Sequence, residues 1–173
     1  MSKIETTSVN RRSDIISAAI EVFAEVGYYR ATTAQVAERA KISQPYIFRF
    51  FSTKEALLLA ALEVSWERVI ASFRKVIDNT SSERLESGLI QAYEDISGSY
   101  RNEVFLQMQA QTIRENSIRE AMRNGFGEVR RMVLDAFHTA GIPNAEERTM
   151  LFLARGMLCN ISEALDMPEL MGK

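Results

Sequence analysis

Side chains with chemistry to offer gather in one stretch, Thr32 to Glu55, TTAQVAERAKISQPYIFRFFSTKE. Gln44 carries a donor and an acceptor on one amide, which can pair bidentately with adenine or bond other bases in the major groove. Tyr46 offers a hydroxyl for phosphate or a ring for a thymine methyl, and Arg49 and Lys54 are cations suited to neutralising phosphates. Thr33 adds a hydroxyl and a backbone N–H at a helix start, where anions are favoured. This is the chemistry of groove recognition. The chain has no Gly-x-Ser-x-Gly and no phosphate loop, and its one histidine, His138, leaves a catalytic triad without a base. With a single cysteine besides, Cys159, the sequence supports no transition-metal site. Cys159 reads as a buried small hydrophobe. No catalytic residue, metal ligand or cofactor is assigned.

The elements that must position these groups are helices. Pro (3) and Gly (8) are scarce among 173 residues, 46% of the chain is apolar, and no strand-like alternation or internal repeat occurs, so the fold class predicted is all-α. From Arg12 to Val26, Ile16, Ala19, Ile20 and Phe23 form one amphipathic stripe, closed by Gly27. Thr32 with Gln35 makes a capping box for a second helix about two turns long. Ser43 is the N-cap expected for a third, with Pro45 in its first turn. Ser52 with Glu55 reads as a further capping box, opening a long helix through Leu57, Trp66 and Phe73. Helices follow at about 82–97, 102–114, 118–139 and 145–165, punctuated by Gly98, Asn116 and the Gly141–Asn144 turn. Phe48 and Phe51, at helical spacing, read as core rather than as a platform for single-stranded nucleic acid.

In a helix-turn-helix the second helix enters the major groove and its N-terminal residues meet base edges; here those are Ser43, Gln44, Pro45 and Tyr46. The block VFAEVGYYRATTAQVAERAKIS followed by PYIFRFFSTKEALL resembles the N-terminal domain of TetR-family regulators, in Phe23, Gly27, the paired threonines, Val36-Ala37, Ala40, Ser43 and the run Tyr-x-x-Phe with Lys-Glu-x-Leu. The resemblance implies a three-helix DNA-binding domain (1–54) and a helical effector-binding and dimerisation domain (55–173). It implies a cytoplasmic regulator with no enzymatic activity, which dimerises on a pseudo-palindromic operator and leaves it when a small molecule binds, most often a repressor. Two positions depart from the family pattern. Lys41 stands where the family commonly has Gly, which puts a phosphate-seeking cation at a turn favouring a left-handed backbone, and Phe48 replaces a Tyr whose hydroxyl touches phosphate.

Beyond that block the reading concerns the body. Trp66, Tyr93, Phe105, Met108 and Phe126, with Gln109 as a polar group, come from different helices and are the residues expected around an apolar effector. The helix at 145–165 is apolar nearly all round, so its second face needs a cover. A four-helix bundle with a second copy of the chain is expected there, through Val129, Val133, Phe137, Phe152, Met157 and Ile161. Residues 1–54 carry eight basic and five acidic side chains, whereas the remainder carry 13 and 18, a basic head on an acidic body. No apolar run approaches the ~18 residues a membrane span needs. The rival reading is a helical enzyme or adaptor whose N-terminal motif is only structural; it would lack the salt-sensitive duplex binding that a regulator must show.

Overall fold

Apolar side chains at steps of three and four produce eight α-helices among the described residues. The computed structural model describes residues 3–172, with side chains from residue 11 onward. In chain order the helices are α1 (Lys3–Val26), α2 (Thr33–Arg39), α3 (Gln44–Ile47), α4 (Lys54–Asn79), α5 (Leu85–Ser99), α6 (Arg101–Ala110), α7 (Asn116–Thr139) and α8 (Ala145–Leu165). Short 3₁₀ turns at Ser82–Arg84 and Pro168–Met171 flank α5 and follow α8. No strand occurs among the described residues, and no helix there is long and apolar enough to cross a membrane.

Local chemistry explains most boundaries. The capping box at α2 is present, with the Thr32 N–H donating to Gln35 Oε1 (2.9 Å) and the Gln35 N–H donating to Thr32 Oγ1 (3.2 Å). Gly27 closes α1 at φ 79°, its N–H donating to the Phe23 carbonyl. At α4 the cap lies one residue later than expected. Thr53 Oγ1, not Ser52, accepts from the Ala56 N–H (3.0 Å), and Glu55 turns away to accept from the Ser117 hydroxyl. Both residues are good caps; helix starts at Lys54, so the third backbone N–H of the helix falls to Thr53. Gly98 lies inside the last turn of α5, and α6 stops at Ala110, earlier than predicted.

The helices pack as two units. One comprises Met1–Ser65 with Leu106–Met122, the other Trp66–Phe105 with Arg123–Lys173. In the first, Ile16, Ile20, Phe23, Val36, Ile47, Phe51, Leu57 and Leu58 are buried. The segment 106–122 is fastened to the rest of that unit by polar contacts. Gln107 Nε2 donates to Ser65 Oγ (2.7 Å), Gln109 Nε2 to the Ala24 carbonyl (2.7 Å), and the Tyr29 hydroxyl to Glu115 (2.9 Å).

In the second unit, Phe73 meets Phe152 edge-on with ring centres 5.5 Å apart, and Tyr93 donates its hydroxyl to Asn160 Oδ1 (2.8 Å). Burial pushes the Tyr93 hydroxyl up to about 12. The expected dimer residues Val129, Val133, Phe137 and Phe152 need correcting, because all four are buried within the chain itself. Helix α8 has two apolar faces, and the inner one, with Ala145, Phe152 and Cys159, is covered by the protein's own side chains. The outer face stays in water: Leu151 is 55% exposed and Leu165 61%, with Leu158 and Ile161 between them.

Trp66 lies against Phe126, ring centres 5.0 Å apart and nearly edge-on, and this pairing depends on Gly125. A β-carbon at Gly125 would sit 2.2 Å from the indole Cε2, far inside van der Waals contact. Replacing Gly125 with Ala is therefore expected to destabilise the protein by about 1 to 3 kcal/mol through overpacking. Urea unfolding followed by fluorescence checks this, Trp66 being the only tryptophan; an unchanged midpoint would show that the ring relaxes freely.

Candidate nucleic-acid interface

The turn between α2 and α3 is shaped by how α2 ends. The Ile42 N–H donates to the Ala37 carbonyl and the Lys41 N–H to the Glu38 carbonyl, both at 3.0 Å, which is a Schellman closure with Lys41 in the left-handed position at φ 55°. A non-glycine residue pays roughly 1 to 2 kcal/mol there. The same closure ends α7 without that strain, because Gly141 occupies the equivalent position at φ 68°. Lys41 consequently holds an exposed cation at the corner where the chain turns into α3.

Helix α3 is one turn long, Gln44–Ile47, and Ile47 anchors it in the core. Ser43 occupies the N-cap position without a side-chain cap bond, and Pro45 fills the first turn as expected. Gln44 Nε2 donates to Thr33 Oγ1 (2.9 Å), so the start of α2 orients the amide at the start of α3. That bond uses one of the two amide N–H groups and leaves the other, with Oε1, facing solvent. The Tyr46 ring is held between the Phe50 ring, 5.4 Å away edge-on, and the Arg49 guanidinium, 5.2 Å from its centre. Arg49 remains exposed. Thr33, Lys41, Ser43, Gln44, Pro45, Tyr46 and Arg49 thus share the α2–α3 corner.

Lys54 is the exception and a correction. Its ammonium points inward, donating to the carbonyls of Tyr28 (2.8 Å), Ala31 (3.0 Å) and Tyr29 (3.4 Å), and it lies 4.7 Å from the centre of the Tyr28 ring. The tight loop between α1 and α2 leaves these carbonyls without helical partners, and a side chain with three donors satisfies them at one point. Phe48 is the second correction. Phe51 is core at 4% exposure, but Phe48 is 50% exposed. Phe51 follows Ile47 by four residues and shares its buried face, its N–H donating to the Ile47 carbonyl at 3.0 Å, whereas Phe48 follows Gln44 by four and shares the exposed one.

Sequence reasoning also missed Arg39, whose guanidinium bonds Glu25 through two nitrogens (2.9 and 2.7 Å) and Glu21 (2.7 Å), tying α2 to α1. Its hydrogen bonds hold the Glu25 carboxyl below the usual range. The signal was present as Glu21 and Glu25 one turn apart on α1, with no way to tell which cation would meet them.

The six residues expected around an effector are not gathered by either unit. Trp66 and Phe126 meet in the second unit, where Trp66 Nε1 is buried with no hydrogen-bond partner. Tyr93 belongs to another cluster, with Phe73 and Asn160, beside a cavity of only about 10 Å³, room for no more than a single water-sized molecule. Phe105 is capped by the Arg101 guanidinium at 5.0 Å. Met108 and Gln109 group with the first unit, where the Gln109 amide is committed to Ala24. A larger open groove, about 490 Å³, is lined by Arg74, Asp78, Asp135 and Met132 among others, a mixed rather than an apolar wall.

Comparison with known proteins bears on this corner. Residues 15–61 match the family described as bacterial regulatory proteins, tetR family. Over 74 residues the chain is 34% identical to the HTH-type transcriptional activator FasR of Mycolicibacterium smegmatis, a match covering 43% of this chain and 34% of that relative's length. Among solved structures it is similar to a TetR transcription regulator from Haloarcula marismortui, with a TM-score of 0.79 at 22% identity over 95% of this chain and 92% of that one. It is also similar to FadR from Bacillus subtilis in complex with stearoyl-CoA, with a TM-score of 0.73 at 15% identity over 89% and 88% of the two chains.

Because the Lys54 ammonium fills a carbonyl cluster, replacing Lys54 with Met is expected to cost about 1 to 3 kcal/mol of stability by leaving those acceptors unsatisfied. Arg49→Met, on the exposed side of the same corner, should stay within about 0.5 kcal/mol of the parent. Urea unfolding of the two variants side by side checks the assignment, and equal midpoints would return Lys54 to the surface.

Proposed function

We propose that the chain is a DNA-binding transcriptional regulator of the TetR family, whose model matches residues 15–61, and that it is a repressor that a small molecule releases from a pseudo-palindromic operator in the cytoplasm. The observation that carries the reading is the α2–α3 corner. Gln44 is tethered to Thr33 with half its amide still free, and Lys41 and Arg49 stand exposed around it. This is a base-reading group with phosphate-binding cations to either side. The relatives matched over this corner are named as transcriptional regulators, which favours this reading over a helical enzyme or adaptor whose N-terminal motif is only structural.

A two-fold operator calls for a two-fold reader, and α8 offers the surface. Leu151, Ala154, Leu158, Ile161 and Leu165 are exposed and spaced three, four, three and four residues apart, a stripe suited to a partner helix. We place the dimer contact there, with Ile161 kept from the original expectation and Met157 at its edge. The effector is proposed to be apolar and to bind in the helical body. Support comes from the fold shared with FadR in its stearoyl-CoA complex, and from Trp66, which presents an indole N–H without an acceptor in an apolar setting. A ligand that favours one spacing of the two recognition helices would shift DNA affinity by its differential binding.

Selection from random duplex DNA should recover a symmetric site whose binding constant falls steeply with salt. Arg49→Ala should weaken binding to all duplexes alike and reduce the log–log salt slope by about 1, whereas Gln44→Ala should relax base preference by about 1 to 3 kcal/mol. Failure to enrich any duplex would remove the operator reading. Separately, Leu158→Glu is expected to convert a dimer into monomers in sedimentation at micromolar concentration; a parent already monomeric there would show that α8 is not the contact.

A further inference from the structure

Among the described residues, Phe48 is the aromatic side chain of the α3 region with neither a ring nor a cation partner. Tyr46 and Phe50 pack on each other, Arg49 covers Tyr46, and Arg12 lies 5.2 Å over the ring of Phe51, which is itself buried. No ring or cation packs on Phe48 among the described residues, and half of its surface meets water. A single exposed apolar residue is ordinary, so exposure alone says little. Its register says more. The Tyr46 N–H donates to the Ser43 carbonyl, Arg49 to Tyr46 and Phe51 to Ile47, so the chain stays wound from Ser43 to Phe51. Gln44 and Phe48, four residues apart, therefore lie on one face a turn apart.

We propose that Phe48 reads the 5-methyl group of a thymine in the major groove, within two base steps of the base pair taken by Gln44. The proposal rests on the operator-binding reading above and names what the corner recognises there. Gln44 keeps one N–H and Oε1 free of its bond to Thr33, the donor and acceptor that adenine N7 and N6 require. A phenyl ring has neither donor nor acceptor, so it cannot bond a phosphate, and thymine's methyl is the apolar group that the major-groove edge presents. Four residues of helix rise about 6 Å, against about 3.4 Å per base step, which sets the distance between the two contacts. The two side chains then read different features of neighbouring pairs, a hydrogen-bonding edge and a methyl.

The experiment replaces each thymine of the selected operator, symmetrically in both half-sites, with deoxyuridine, which removes the methyl and leaves the hydrogen-bonding edge intact. The wild-type chain should lose about 3- to 5-fold in affinity per half-site at one position, and Phe48→Ala should bind the thymine and deoxyuridine operators equally. Phe48→Leu, which keeps apolar surface, should retain most of the discrimination and stands in should the Ala variant fold poorly. A duplex bound tightly with no deoxyuridine-sensitive position, or with the sensitivity kept in Phe48→Ala, overturns the assignment while leaving operator binding in place. Absence of any salt-dependent duplex binding overturns both.

Discussion

The geometry of the recognition corner depends on a single ammonium group. Lys54 stands at the first position of α4 and donates to carbonyls of Tyr28, Tyr29 and Ala31, in the loop that carries α1 into α2. The six residues between α1 and α2 cannot reverse direction without leaving carbonyls unpaired, and buried unpaired carbonyls are costly. By meeting them together, Lys54 fixes where α4 starts relative to the loop and so where Thr32 can cap α2. Arg39 performs a looser version of the same task at the other end of α2, on the exposed side, through Glu21 and Glu25. The position of Gln44 follows, since its amide is hung on Thr33 at the head of the helix so placed.

What was legible in the sequence was mostly local. Gly27 and the Thr32–Gln35 box are decided by residues within one helical turn and were read correctly from residue type and spacing, whereas the left-handed turn at Lys41 came from the family resemblance, where glycine is usual. The bounds of α8, Ala145–Leu165, were equally plain from the Asn144 turn and the apolar run. The misreadings share a physical cause. Whether a lysine points inward or outward, and which stripe of an all-apolar helix faces the core, are decided by partners distant in sequence. Lys54 and the four buried residues Val129, Val133, Phe137 and Phe152 are cases of this kind. Phe48 is of the same kind: of two phenylalanines at helical spacing, Phe51 shares the face of the buried Ile47 and Phe48 shares the exposed face of Gln44.

Two other departures from ideal residue choice are visible and point in opposite directions. Lys41 accepts a left-handed backbone that glycine would take without strain, retaining charge at the corner. Gly125 does the reverse, giving up helix propensity in the middle of α7 so that the Trp66 ring can lie flush against the helix. One site keeps a side chain despite its conformational cost and the other forgoes one despite the entropy, and in both cases a neighbour dictates the choice.

The fastening of 106–122 onto the first unit bears on how such a protein can be recombined. The proposed recognition residues lie within 15–61, the span matched by the family model, and that span looks like a cassette. Yet four hydrogen bonds leave the N-terminal 65 residues for the later segment, from Tyr29 to Glu115, and to Ala24, Glu55 and Ser65 from Gln109, Ser117 and Gln107. A chimera exchanging only the continuous stretch would import recognition chemistry while discarding one side of most of these pairs. The transferable piece is discontinuous in sequence, and a graft that respects it must carry two segments of chain, not one.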